Sequence, residues 1–217
     1  LGAFAYLARN QGAALLVNYI FGTIVNGAYA VAAQIESQII GLVTNLGTAA
    51  NPQLTQSYSS GNYKRTFEIV SKITKFSILS MIILCFSAFI EIETLLKLWL
   101  HNIPENTIAF SKAVLLSLFV RSLALGIDGL IQATGKVKWY QIIQSSLLVL
   151  CLPISFCGFR LGLPAYFIVV AFMLTDLVKI VAMFLIVCKV TSMNFAEYCK
   201  IVYIPAIKVM FPLFVYY

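Results

Sequence analysis

The chain has little charge and almost no histidine. Only 11% of its 217 residues are Asp, Glu, Lys or Arg, against about a quarter in an ordinary soluble domain, so it has too little polar surface to wrap a fold in water. One histidine, His101, gives a histidine-based metal site or a Ser-His-Asp triad almost nothing to be built from. The five cysteines, Cys85, Cys151, Cys157, Cys188 and Cys199, show no CxxC or Cys/His spacing, and four of them lie in apolar runs. They read as packing residues. Enzyme chemistry is therefore not expected; no catalytic residue, cofactor or metal is assigned. Segments of strict alternation between apolar and polar residues are missing too, which argues against a membrane β-barrel.

What is present in quantity is apolar sequence. Apolar residues make up 61% of the chain, and such a chain takes the lipid bilayer as its solvent. About 20 apolar residues cross a hydrocarbon core as a helix. Stretches of that kind lie near residues 1–21, 28–49, 73–96, 108–131, 139–159 and 164–187, and a further one begins near 201. The expectation is an all-α, polytopic transmembrane helix bundle over residues 1–190, followed over 191–217 by a cytoplasmic connection and part of another span. The chain opens inside one apolar run at Leu1 and closes inside another at Tyr217, which predicts a piece of a longer protein.

The formal charge of +7 does not point to nucleic acid, because the basic residues sit at span ends, where an anionic leaflet attracts them. They also segregate. Lys64, Arg65, Lys72, Lys75, Lys136, Lys138, Lys189 and Lys200 fall in or beside alternate connections, while the intervening ones hold only Lys97 and Arg160. The positive-inside rule makes the first set cytoplasmic. Asn26-Gly27 is expected to connect the first two spans, Asn51-Pro52 to end the second, and Gly61-Asn62 to form a turn before a short amphipathic helix over Lys64 to Lys75.

Polar residues inside the spans carry the functional signal. In the second span Gln34, Gln38, Gly41, Asn45 and Thr48 follow steps of 4, 3, 4 and 3 and share one helical face. Two readings stand: a seam against a neighbouring helix, or the wall of a hydrated cavity. Glu36 lies on another side of that helix and needs its own partner; it is the candidate site for a coupling ion. The fourth span aligns Ser117, Arg121, Ala124, Asp128 and Gln132. Arg121 and Asp128 are about 10 Å apart along the axis, too far for direct contact, and Gly126 and Gly129 would let the helix bend or a neighbour come close. Asp176 and Lys179, three apart in the sixth span, suit each other as a structural pair. Arg9-Asn10-Gln11 and Asn18 give the first span a polar face. Spans three and five, without charges in their middles, read as outer helices.

Specific segments resemble the bacterial O-antigen and polysaccharide flippases (Wzx type). They are Asn18-Tyr19-Ile20-Phe21-Gly22-Thr23-Ile24-Val25-Asn26-Gly27-Ala28-Tyr29-Ala30-Val31-Ala32, then Asn45-Leu46-Gly47-Thr48-Ala49-Ala50-Asn51-Pro52-Gln53-Leu54, then Leu98-Trp99-Leu100 with Pro104-Glu105, and Ala133-Thr134-Gly135-Lys136-Val137-Lys138-Trp139-Tyr140-Gln141. The resemblance implies the multidrug, oligosaccharidyl-lipid and polysaccharide exporter superfamily, two six-helix bundles around a cavity, with this chain as the second, C-terminal bundle and the N-terminal six-helix half as its partner. It implies movement of an undecaprenyl-diphosphate-linked oligosaccharide across the bacterial inner membrane by alternating access, alongside a polysaccharide polymerase and glycosyltransferases. A diphosphate needs cations and amides, and sugars need amides and hydroxyls; Arg9, Gln11, Gln34, Gln38, Asn45, Arg121, Asp128 and Gln132 are the candidate substrate-cavity residues. A cation-coupled multidrug exporter, a peptidoglycan-precursor flippase of the same superfamily and a non-transporting scaffold of a glycan-assembly complex are the competing readings.

Overall fold

In a computed structural model, which describes residues 2–191 and 195–215, every regular element is a helix. In chain order these are α1 (Gly2–Phe21), α2 (Thr23–Ser59), α3 (Tyr63–Ile90), α4 (Ile92–Trp99), α5 (Thr107–Ser122), α6 (Leu125–Ala133), α7 (Lys138–Arg160), α8 (Phe167–Thr191) and α9 (Phe195–Val215). The fold is an all-α membrane bundle. Among the described residues, α3, α7 and α8 are each long and apolar enough to cross a bilayer, and α5 with α6 makes a fourth such segment bent by 45°. The other two helices over expected spans, α1 and α2, are not among these; α1 carries Arg9-Asn10-Gln11 and α2 its row of amides.

Three boundaries differ from expectation. The first connection is Gly22 alone, whose φ of 85° suits a residue without a Cβ, and Asn26-Gly27 lies inside α2. Pro52 does not end α2, which runs 37 residues to Ser59; the proline removes one backbone hydrogen bond, and the surrounding packing holds the helix. No separate amphipathic helix precedes the third span, because α3 is continuous from Tyr63. The expected turn at Gly61-Asn62 is there. Gly61 has φ 74°, and the Asn62 side chain accepts from the Arg65 amide at 3.1 Å, capping α3. Thr66, buried beneath the turn, donates to the Asn62 carbonyl at 2.9 Å.

The bent pair α5–α6 is the hub. α5 packs against α2, α3 and α8, and α6 against α2, α3 and α8. α7 closes one side by packing on α1 and α8, while α9 lies along α3. The third span is therefore not the outer helix that its lack of charge suggested: α3 touches α2, α5, α6 and α9, and buries Val70, Ser71, Thr74, Ser77 and Met81. In lipid, helices gain little from hiding apolar surface, so close packing through small residues holds them together. A Cβ added at Gly12 would lie 2.6 Å from Leu152 of α7, and one at Gly126 would lie 2.5 Å from the Val70 carbonyl of α3. Two apolar clusters result, one around Val17, Phe110, Leu115 and Ile168, the other around Leu54, Ile127, Ile131, Met183 and Tyr198. The polar site lies between them.

Candidate functional site

Two ion pairs bridge helices inside this bundle. Arg121, in the last turn of α5, donates through Nη1 to Glu36 Oε1 of α2 at 2.5 Å. The partner that Glu36 needed is thus eighty-five residues away in sequence and adjacent in space. The two side chains are 19% and 22% exposed, so the pair is neither sealed in the core nor open on the surface. Asp128, in the first turn of α6, accepts a hydrogen bond from the Tyr140 hydroxyl of α7. The bend after Ser122 turns α6 away from the axis of α5. Arg121 and Asp128 accordingly reach different partners, as their separation along one helix predicts.

A second cluster lies deeper. Asp176 of α8 pairs with Lys179 at 3.5 Å, the i, i+3 contact expected from spacing. Its other oxygen faces Arg9 of α1 at 3.9 Å, with both side chains almost wholly buried. Arg9 also stacks over Phe172 of α8, 3.9 Å from the ring centroid, an arrangement in which a guanidinium gains from the ring face. Arg9 is thereby a tie between the first and eighth helices, and it lines neither of the two polar cavities described next.

Those cavities lie on either side of the Glu36–Arg121 pair. One, of about 310 Å³, opens between α1 and α2 and is lined by Tyr6, Asn10, Gln11, Asn26, Glu36 and Ser37 among others. The second, of about 160 Å³, is walled by α2, α3, α5, α6, α7 and α8; Arg121, Asp128, Asp176, Lys179, Thr44 and Gln144 face it. Gln11 lines the first of these cavities. Gln34, Gln38 and Asn45 are exposed on the outside of the described bundle, together with Thr48. Gln132 is exposed in the last turn of α6, away from both cavities. The helix face of α2 that does look inward is Ala33, Glu36, Ser37, Ile40, Val43 and Thr44, a stripe at helical spacing whose mixed composition hid it. Tyr140 was missed as well, because nothing in its local sequence distinguishes it from an interfacial tyrosine.

A multi-pass helical membrane bundle with ion pairs between its helices and polar cavities inside it is an architecture compatible with transport. A family model, MatE, matches residues 6–157, from α1 into the last turns of α7. The chain belongs to the MatE family, transporters of the multidrug, oligosaccharidyl-lipid and polysaccharide exporter superfamily, and not a family of enzymes. No curated protein and no solved structure matches it. Asp176 and Lys179 lie beyond the matched residues.

Proposed function

We propose that this chain is one half of a flippase that moves an undecaprenyl-diphosphate-linked oligosaccharide between leaflets of a bacterial inner membrane by alternating access. The observation that carries the reading is the row Gln34, Gln38 and Asn45, exposed together along one face of α2. An amide left facing lipid costs about 1–3 kcal/mol or more, so a row of three asks for a polar counterpart. Sugar hydroxyls supply one, and the flippase-like segments 18–32 and 45–54 lie on the same helix or at its start. In this reading the row faces a substrate cavity shared with an N-terminal six-helix half, and a polysaccharide polymerase and glycosyltransferases act before and after it.

A cation-coupled exporter of small molecules is the second reading, favoured by one feature: Glu36, an acid in the wall of a polar cavity between α1 and α2. The two separate in one assay. The complete protein, reconstituted in vesicles, is given either a lipid-linked oligosaccharide whose headgroup is scored by an impermeant lectin or oxidant, or a cationic dye under an ion gradient. Flipping of the first without uptake of the second supports the flippase; the reverse overturns it.

A further inference from the structure

A break in one span sets the directions of Arg121 and Asp128. Between α5 and α6 the amides of Leu123 and Ala124 reach back only three residues, to Val120 O at 3.2 Å and Arg121 O at 3.4 Å, and the four-residue step resumes with Asp128 N on Ala124 O at 2.9 Å. The axis turns by 45° here. Arg121 stands just before the turn and Asp128 just after it, so its angle decides which partners each can reach.

Backbone freed inside a membrane has no water to turn to and needs a donor from the protein. The Leu123 carbonyl has one in the Tyr203 hydroxyl of α9, which donates to it at 2.8 Å. On the far side of the break Gly126 presses on Val70 and Thr74 of α3. The Thr74 hydroxyl is held there, donating to Val70 O at 3.1 Å and accepting at 2.6 Å from Tyr198 of α9, a residue that is wholly buried. Phe184 of α8 braces both tyrosines edge-on, its centroid 5.8 Å from Tyr198 and 6.5 Å from Tyr203, and the two tyrosine rings lie 6.0 Å apart. One helix thus touches the break on both sides. That helix begins at Phe195, well past residue 157, where the family match ends.

We propose that α9 holds the α5–α6 bend through Tyr198 and Tyr203, and that these two tyrosines are positioning residues for Asp128. When α9 lets go, α6 is free to straighten on α5. Its nine residues span about 13.5 Å, so removing a bend of 45° carries the end of α6 about 10 Å and Asp128 about 5 Å. The smaller of these movements already takes Asp128 off the Tyr140 hydroxyl. A helix outside the matched residues thereby governs the geometry of a site within them.

The test needs no substrate. In the complete protein with its native cysteines replaced, Leu130→Cys is buried on α6 and Leu118→Cys is buried on α5. Their rates of reaction with a small thiol reagent follow the population in which each is uncovered. Tyr203→Phe keeps the ring and removes only the donor, so it is expected to speed reaction at position 130 about fivefold, the change that follows from losing one net hydrogen bond of about 1 kcal/mol. Adding Tyr198→Phe is expected to speed it further, while position 118 keeps its parental rate. In that double variant, spin labels at Gln132 of α6 and Glu68 of α3, both exposed, are expected to show a second distance displaced by up to about 10 Å. Parental rates at position 130 in the double variant overturn the proposal. An equal rise at positions 118 and 130 shows loosening of the whole bundle and overturns it too.

Discussion

Replacing Gly126 with alanine inserts one methyl group where α6 crosses α3, and its effect can be worked from distances. The added carbon would lie 2.4 Å from Thr74 Oγ1 and 2.5 Å from the Val70 carbonyl oxygen, against about 3.3–3.6 Å for an unstrained C···O contact. One of those atoms is backbone. The other is fixed, because the Thr74 hydroxyl donates to Val70 O at 3.1 Å and accepts from Tyr198 of α9 at 2.6 Å. Neither can turn aside, so α6 must withdraw by about 1 Å. Overpacking of this kind costs about 1–3 kcal/mol. Loss of the Tyr198 hydrogen bond adds about 1 kcal/mol, and the better helix propensity of alanine returns about 1 kcal/mol. A net loss of about 1–3 kcal/mol lowers the melting midpoint by about 3–10 °C, measured in mild detergent by fluorescence-detected size exclusion. Gly27→Ala, with nothing within 4 Å of the new carbon, is the control and leaves the midpoint unchanged or slightly higher. A Gly126→Ala protein as stable as its parent would refute the close approach of α6 to α3.

Arg9→Met strips Asp176 of its interhelical partner and leaves a buried carboxylate beside Lys179 alone, a loss of about 3–5 kcal/mol that should sharply reduce the amount of folded protein in membranes; Arg9→Met with Asp176→Leu should recover most of it. Tyr140→Phe removes the hydrogen bond to Asp128 for about 1–3 kcal/mol, and should lower transport more than it lowers protein level if Asp128 acts in the cavity. Cysteines at Gly61 and Lys136 should resist an impermeant thiol reagent applied outside intact cells, whereas those at His101 and Gly162 should react, since the basic residues segregate to the first pair of connections; labelling at position 61 would invert the topology.

The helices were legible where apolar length set them, as in α7 and α8, and the turn at Gly61-Asn62 was legible from its residue types. Continuity was not. Pro52 is a local breaker, yet packing of α2 against α3 and α6 carries the helix through it, and Lys64 to Lys75 look amphipathic only until Tyr198 and α9 are seen to cover part of α3. The site shows the same division. Asp176 and Lys179 are a local pair and could be read directly. The Glu36–Arg121 contact joins residues eighty-five apart, and no spacing rule reaches that far. Arg9 was expected at a cavity wall; the ring of Phe172 and the carboxylate of Asp176, neither adjacent in sequence, take it into the bundle instead.

Replacing the amide row itself tests most directly whether substrate passes along this face of α2. In the complete protein, Gln34→Leu, Gln38→Leu and Asn45→Leu together remove the exposed polar face of α2 without touching either internal cavity or any of the ion pairs. The triple variant is expected to accumulate in the membrane and melt like its parent, yet to flip lipid-linked oligosaccharide in vesicles at least tenfold more slowly, the consequence of losing about 1.4 kcal/mol or more of substrate contact. Flipping at the parental rate by a well-folded variant would contradict it, and would move the substrate away from this face of α2.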